Sequence, residues 1–194
     1  LNLENILSDD DKIISYIGYT IFHQKVEGMI DFLKGFSEFL RSIESITLRK
    51  KFKLLYIGDG KFSARLVKAI KKSNLEGNVF FLGERNDIKH ILAISDLLAL
   101  TSYTEGFSMA LLEAMASNVP VIASNVGESK YIVNNTGFLV TPGNYLQIAE
   151  KLSNYFDLPD SKIRYYQIKA QERIKNNFDI KIIVKKLLNQ IYSS

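Results

Sequence analysis

Cysteine is absent from the 194 residues. No disulfide and no thiolate metal site can form, and the chain fits a cytoplasmic setting. Histidine occurs only twice, at His23 and His90, without metal-ligand spacing. Neither a histidine metal site nor a Ser-His-Asp or Cys-His catalytic set can be assembled, and no metal site is expected. No apolar run approaches the ~20 residues that span a bilayer. No secretory pattern opens the chain, which begins at Leu1 rather than Met and reads as part of a longer protein. The dinucleotide pattern G-x-G-x-x-G is missing, since Gly58-Asp59-Gly60 goes no further, and there is no P-loop. Dense basic blocks with interleaved aromatics are missing as well, so nucleic acid is not an expected partner. A net charge of +4 and a pI near 9.1 lend only thin support to peripheral attraction toward the acidic inner face of a membrane. Charge itself is scarce in one stretch: from Leu97 to Gly127 only Glu105 and Glu113 carry it.

What is present is ordinary globular material, 46% hydrophobic and 24% charged, enough for one core. Short apolar runs alternate with amphipathic segments. Runs 12–19, 51–60, 78–84, 96–102, 119–124 and 137–141 read as strands. Helices are expected over 27–43, where Ile30, Leu33, Phe36, Phe39, Leu40 and Ile43 recur at three- and four-residue spacing, and over 62–73 and 87–95. Another should begin around Phe107, and more follow from Asn144, with breaks near Leu158-Pro159 and Asn176-Asn177. The aromatic stripe within 32–39 and the pair Tyr165-Tyr166 read as core. Residues 1–11 read as a linker or arm, and 12–194 as one domain. Strands of this kind separated by helices predict an α/β, doubly wound, Rossmann-like parallel sheet with ligands at the carboxyl ends of its strands.

Those ends direct attention to 101–124, TSYTEGFSMALLEAMASNVPVIAS. A glycine before a helix start, with Ser108 in its first turn, makes an anion site of the Phe107, Ser108 and Met109 amides, suited to a diphosphate. Glu113 follows Glu105 by eight residues, roughly 80° around a helix axis, on the same half. It stands among Met109, Ala110, Leu111, Leu112, Ala114 and Met115, so it is expected to be buried, where ligand hydroxyls such as those of a ribose would satisfy it. The same residues also fit a Glu105 that merely favours the helix dipole and a Glu113 paired with a buried Lys or Arg.

The spacing resembles the motif of the retaining, nucleotide-sugar-dependent glycosyltransferases of the GT-B class, glycosyl transferases group one, family four. Their pattern is a Glu, seven residues, a second Glu, Ala-Met-Ala, a small residue and Pro-Val; here it is Glu105-Gly106-Phe107, then Glu113-Ala114-Met115-Ala116, then Pro120-Val121. LLYIGDG (54–60), NVFFLGE (78–84), SDLLALTS (95–102), TGFLVTPGN (136–144) and NNFDIKIIVKKLLNQIY (176–192) are similar to further family segments in the same order. The resemblance implies the second, donor-binding half of a GT-B enzyme. It implies that Glu105 contacts the donor sugar, Glu113 holds the ribose, Gly106, Phe107, Ser108 and Met109 bind sugar and diphosphate, and Lys25 binds the diphosphate. It places Gly18, at the first strand's end, among the donor-binding residues and Glu84 and Arg85 beside the base; Arg85 fits either a base contact or a surface arginine.

Departures from the family pattern stand beside these implications. Gly18 is followed by Tyr19 where the family has arginine, and two residues separate Lys25 from Gly28 where it has none. Either Lys25 alone neutralises the diphosphate, or His23 or Arg85 assists. The loop NVGESKYIV has Gly127, then Glu128 and Tyr131, in place of a double glycine and a later glutamate. The resulting expectation is a nucleotide-sugar-binding domain that transfers a hexose-type sugar with retention, without metal or cofactor. Glu105 and Lys25 would be its catalytic groups, and a missing acceptor domain or partner subunit would complete it. The alternative is a non-catalytic nucleotide-sugar-binding or scaffolding subunit. With the other half gone, residues 178–192 and the cleft face should leave apolar surface exposed.

Overall fold

Short, largely apolar runs form the strands. A computed structural model of the chain describes residue 3 and residues 6–183. In it, β1 (Lys12–Ile17), β2 (Phe52–Ile57), β3 (Val79–Gly83), β4 (Leu97–Leu100), β5 (Val121–Ser124) and β6 (Phe138–Val140) pair in parallel, in the order β3-β2-β1-β4-β5-β6. β4 and β5 are buried throughout, as strands covered on both faces must be. The helices are α1 (His23–Ser42), α2 (Ile46–Lys51), α3 (Ser63–Lys72), α4 (Ile88–Ala93), α5 (Met109–Ala116), α6 (Ser129–Val133), α7 (Tyr145–Phe156) and α8 (Asp160–Asn177). α1 packs beside α3 and α7, and α5 beside α6 and α8, so the sheet is doubly wound.

The helices bury their apolar stripes. In α1, Phe32, Leu33, Phe36 and Phe39 are buried, and the three rings stack in succession. Each such side chain contributes roughly 1.5–3 kcal/mol relative to exposure. Phe39 continues into a cluster with Phe52 and Phe156, tying α1 to the starts of the strands and to α7.

Several expectations shift. α1 begins at His23 rather than at residue 27, because His23–Glu27 is polar apart from Val26 and shows no periodicity, although Val26 is buried. α2 and α6 lie in segments without a readable period. α5 begins at Met109, because the Ser108 hydroxyl accepts the Leu111 amide and makes Ser108 the cap. Of the two tyrosines expected in the core, Tyr166 packs on Phe138 but Tyr165 is exposed. The arm is docked: Leu3 and Leu7 pack against Ile13, Leu55, Ile57 and Ile91. Of the expected closing segment 176–192, residues from 184 onward lie outside the described ones.

One close approach positions the carboxyl end of the sheet. A Cβ on Gly28 of α1 would clash with the Thr101 carbonyl oxygen and lie 2.7 Å from Ser102 Cα, just past the end of β4. Backbone cannot retreat as a flexible side chain can. Gly28→Ala is therefore expected to destabilise the chain by about 3 kcal/mol. Gly77→Ala, with nothing within 4 Å of the new methyl, should be neutral or stabilising by up to about 1 kcal/mol. Urea unfolding of the two variants checks the contrast; equal midpoints would show that the contact is slack.

Candidate functional site

The strand order reverses at β1, whose neighbours are β2 on one side and β4 on the other. The connections leaving β1 and β4 therefore diverge and open a crevice at their carboxyl ends. Gly18–Phe22 follows β1, and Thr101–Ser108 follows β4. Between them lies a cleft of about 250 Å³ lined by Phe22, Gln24, Lys25, Thr104, Glu105 and Gly106.

Each loop is held from below. The Gly58 and Gly60 positions have φ of +130° and +150°, and Cβ atoms there would collide with the Gly18 carbonyl and with Thr20. Tyr56 donates its hydroxyl hydrogen bond to the Gly18 carbonyl at 2.5 Å. In the second loop, Thr101 Oγ1 donates to the Gly28 carbonyl at 2.8 Å, the Tyr103 amide donates to the Gln24 carbonyl at 3.4 Å, and the Tyr103 hydroxyl donates to Asp31 at 2.7 Å. Gly127, at φ +48°, seats its backbone against the Glu105 carbonyl where no Cβ fits. The position of Glu105 is thus fixed by contacts with α1 and the β5–α6 loop, because it belongs to no regular element itself.

The chemistry centres on Glu105 and Lys25. The Lys25 ammonium lies 3.2 Å from Oε1 and 3.4 Å from Oε2 of Glu105. The glutamate side chain is 8% exposed and the lysine 32%. Oε1 lies within ion-pair distance of Lys25 but makes no hydrogen bond among the described residues. A buried carboxylate oxygen without a donor is costly, and a ligand hydroxyl would satisfy it. Just below, the buried Tyr16 hydroxyl accepts the Thr101 amide at 3.3 Å, and burial pushes its pKa up to about 12. The hydrogen bond to Asp31, followed by desolvation, pushes Tyr103 to about 12 as well.

Of the sequence-predicted residues, the structure brings together Lys25, Glu105 and Gly106. Lys25 sits in the first turn of α1 rather than in a loop. Gly18 lies at the end of β1, outside the cleft lining. Ser108 is buried and occupied as the α5 cap, while Met109 is exposed. Phe107 is half exposed and packs on Phe178. Glu113 is exposed, not buried as expected, because α5 buries only the stripe Leu111, Ala114 and Met115. Arg85 is held by Asp87 through two hydrogen bonds of 2.8 and 2.6 Å, and this pairing depresses the Asp87 pKa. His23 is engaged with Glu27 at 3.2 Å. Phe22, Gln24, Thr104, Asp31 and Tyr103 were not singled out from sequence. None carried a signal there: with the helix expected from residue 27, Phe22 did not stand at a readable helix start, and its place as N-cap came only with the structure.

The family described as glycosyl transferases group 1 matches residues 6–177. N-acetyl-alpha-D-glucosaminyl L-malate synthase of Bacillus anthracis is 31% identical over 153 residues, which cover 78% of this chain and 38% of that enzyme. Among solved structures, S. aureus TarM in complex with Fondaparinux, alpha-GlcNAc-glycerol and UDP superposes with a TM-score of 0.77 at 26% identity, covering 93% of this chain and 35% of TarM. The C-terminal domain of a glycosyl transferase group 1 family protein, LpcC of Francisella tularensis, superposes at 0.74 with 26% identity, covering 91% of this chain and 90% of that domain. This chain therefore spans well under half the length of the malate synthase and of TarM, but nearly all of the isolated domain.

The two tyrosines around the cleft set an alkaline limit. Each binds its proton more tightly in the folded state, so its contribution is complete below pH 10 and is lost as pH rises from 10 through about 12. The urea midpoint should fall over that window, and Tyr16→Phe should flatten part of the fall. An unchanged pH profile in Tyr16→Phe would show that Tyr16 does not contribute to it.

Proposed function

The chain belongs to the glycosyl transferases group 1 family, and on that premise we propose that it is the donor-binding domain of a retaining glycosyltransferase. Its substrate is a nucleotide-diphosphate sugar of the hexose type. The observation that carries the reading is the Glu105 carboxylate, nearly buried at the β1/β4 switch point with one oxygen lacking a hydrogen bond, and opposed by Lys25. Related enzymes named for N-acetylglucosaminyl and galactosyl transfer support the sugar class.

In this reading the sugar enters the cleft and its hydroxyls donate to Glu105. Lys25 lies within reach of the diphosphate and stabilises the charge that grows there as the bond from the anomeric carbon to the phosphate oxygen breaks. The Ser108 hydroxyl takes the Leu111 amide, which leaves the Met109 and Ala110 amides at the start of α5 for phosphate oxygens. Glu113, exposed on α5, is free to accept the ribose hydroxyls. Arg85 reaches the base only if it leaves Asp87. The sugar goes to an acceptor held by a second domain or a partner subunit, and no metal or cofactor is needed. In this reading the enzyme is cytoplasmic and attracted peripherally to the inner face of the membrane by its net charge of +4; among the described residues no helix is long and apolar enough to cross a membrane.

Lys25 is the one cation lining the cleft among the described residues, and Glu105 already offsets it. That favours weak donor binding and keeps the non-catalytic, nucleotide-sugar-binding subunit as the second reading.

Calorimetric titration with UDP, GDP and ADP, each free and as its hexose conjugate, tests the site. One nucleotide should bind, and EDTA should change nothing. Glu113→Ala should weaken free and sugar-linked forms alike by about 10- to 100-fold, the cost of a charge-assisted hydrogen-bond pair. Glu105→Gln removes the counter-charge on Lys25, so it should strengthen binding of the free nucleotides and weaken the sugar-linked forms relative to them. Unchanged binding in both variants would sink the site assignment.

A further inference from the structure

Phe22 breaks two local rules at once. It is the N-cap of a 20-residue helix, with φ −101° and ψ 132°, and its side chain makes no capping hydrogen bond. Ser, Thr, Asp or Asn at such a position commonly stabilises a helix, and an aromatic ring does not. The ring is also 61% exposed. It belongs to neither apolar core cluster, and it has no aromatic or cationic partner among the described residues. Tyr19 and Ile21, its exposed neighbours in the same loop, do not line the cleft; Phe22 does, together with Lys25, Glu105 and Gly106. A residue that neither caps its helix nor packs into the core, yet lines a ligand cleft, calls for an explanation in the ligand.

A hexose supplies one. Its ring carries hydroxyls around the edge and a patch of C–H groups on a face. Hydroxyls need acceptors such as the Glu105 oxygen that lacks a hydrogen bond, and the C–H face needs apolar surface. The cleft offers both, on separate loops. We propose that Phe22 is the stacking platform for the donor's sugar ring, so that Phe22 and Glu105 together select a hexose with an uninterrupted C–H face. This rests on the donor-site reading and adds to it a specificity-determining residue that holds the sugar and not the nucleotide.

The test uses Phe22→Ser and Phe22→Tyr in the 194-residue chain, titrated with UDP, GDP and ADP and with their hexose conjugates. Serine is the better cap, so Phe22→Ser should raise Tm by about 2 °C. Affinity for the free nucleotide that binds wild type should stay the same. Affinity for its hexose conjugate should fall about three- to tenfold, the scale of one ring contact. Phe22→Tyr should keep the conjugate's affinity. Stability and sugar affinity thus move in opposite directions, which a purely structural role would not produce. Equal loss for free and conjugated nucleotide, or no loss for either, overturns the assignment while leaving the donor site standing. Failure of the wild type to bind any of the six forms overturns the donor-site reading and this inference with it.

Discussion

The separation between α1 and the end of β4 governs the site. Gly28 has no Cβ, so the helix backbone comes close against Thr101 and Ser102. That proximity lets the Thr101 hydroxyl reach the Gly28 carbonyl and the Tyr103 hydroxyl reach Asp31. Both contacts hold an irregular loop to a rigid helix. Lys25, one turn before Gly28, and Glu105, four residues after Thr101, then meet as a consequence. A side chain at residue 28 would open this gap and separate the two charges, although it touches neither.

Scarcity of charge gives the pair its force. Among the described residues the cleft lining contains one cation and one anion. Burial weakens screening, so the Lys25 ammonium and the Glu105 carboxylate act on each other, and on anything between them, more strongly than exposed charges would. A diphosphate entering such a site finds a lysine that already has a counter-charge. Under the proposed donor reading, competition between ligand phosphate and Glu105 for Lys25 would set the affinity, and contacts to the sugar, including the proposed Phe22 platform, would contribute the remainder.

The fold was largely legible in the chain. Runs such as Leu97–Leu100 and Val121–Ser124 hold no charge and are too short for helices, so burial on both faces was their only outcome. The 30–43 stripe was legible because Phe32, Phe36 and Phe39 recur at helical spacing. The first turn of α1 was not, because a polar N-terminal turn has no periodicity to read. α2 and α6, of six and five residues, are too short to carry a period at all. In the candidate site, the spacing of Glu105 and Glu113 drew attention to the loop whose Thr104, Glu105 and Gly106 line the cleft. Burial of Glu113 was misread, because eight residues of mostly apolar sequence do not reveal which face of a helix meets the sheet. The Arg85–Asp87 pairing was equally out of view, since neighbouring opposite charges in a sequence occur whether or not they bond.

By itself, then, the sequence determined the layers: alternation of apolar runs with amphipathic segments leaves a parallel sheet between helices as the arrangement that buries every stripe. It also determined which residue types sit at the strand ends, because glycines and lone carboxylates stand out against an apolar background. Tertiary structure alone decided which of them meet. Lys25 and Glu105 are 80 residues apart, and they face each other because the strand order reverses between β1 and β4 and a missing Cβ allows the helix to close. Distances across such a crevice depend on packing between elements distant in the chain, and no local pattern encodes them.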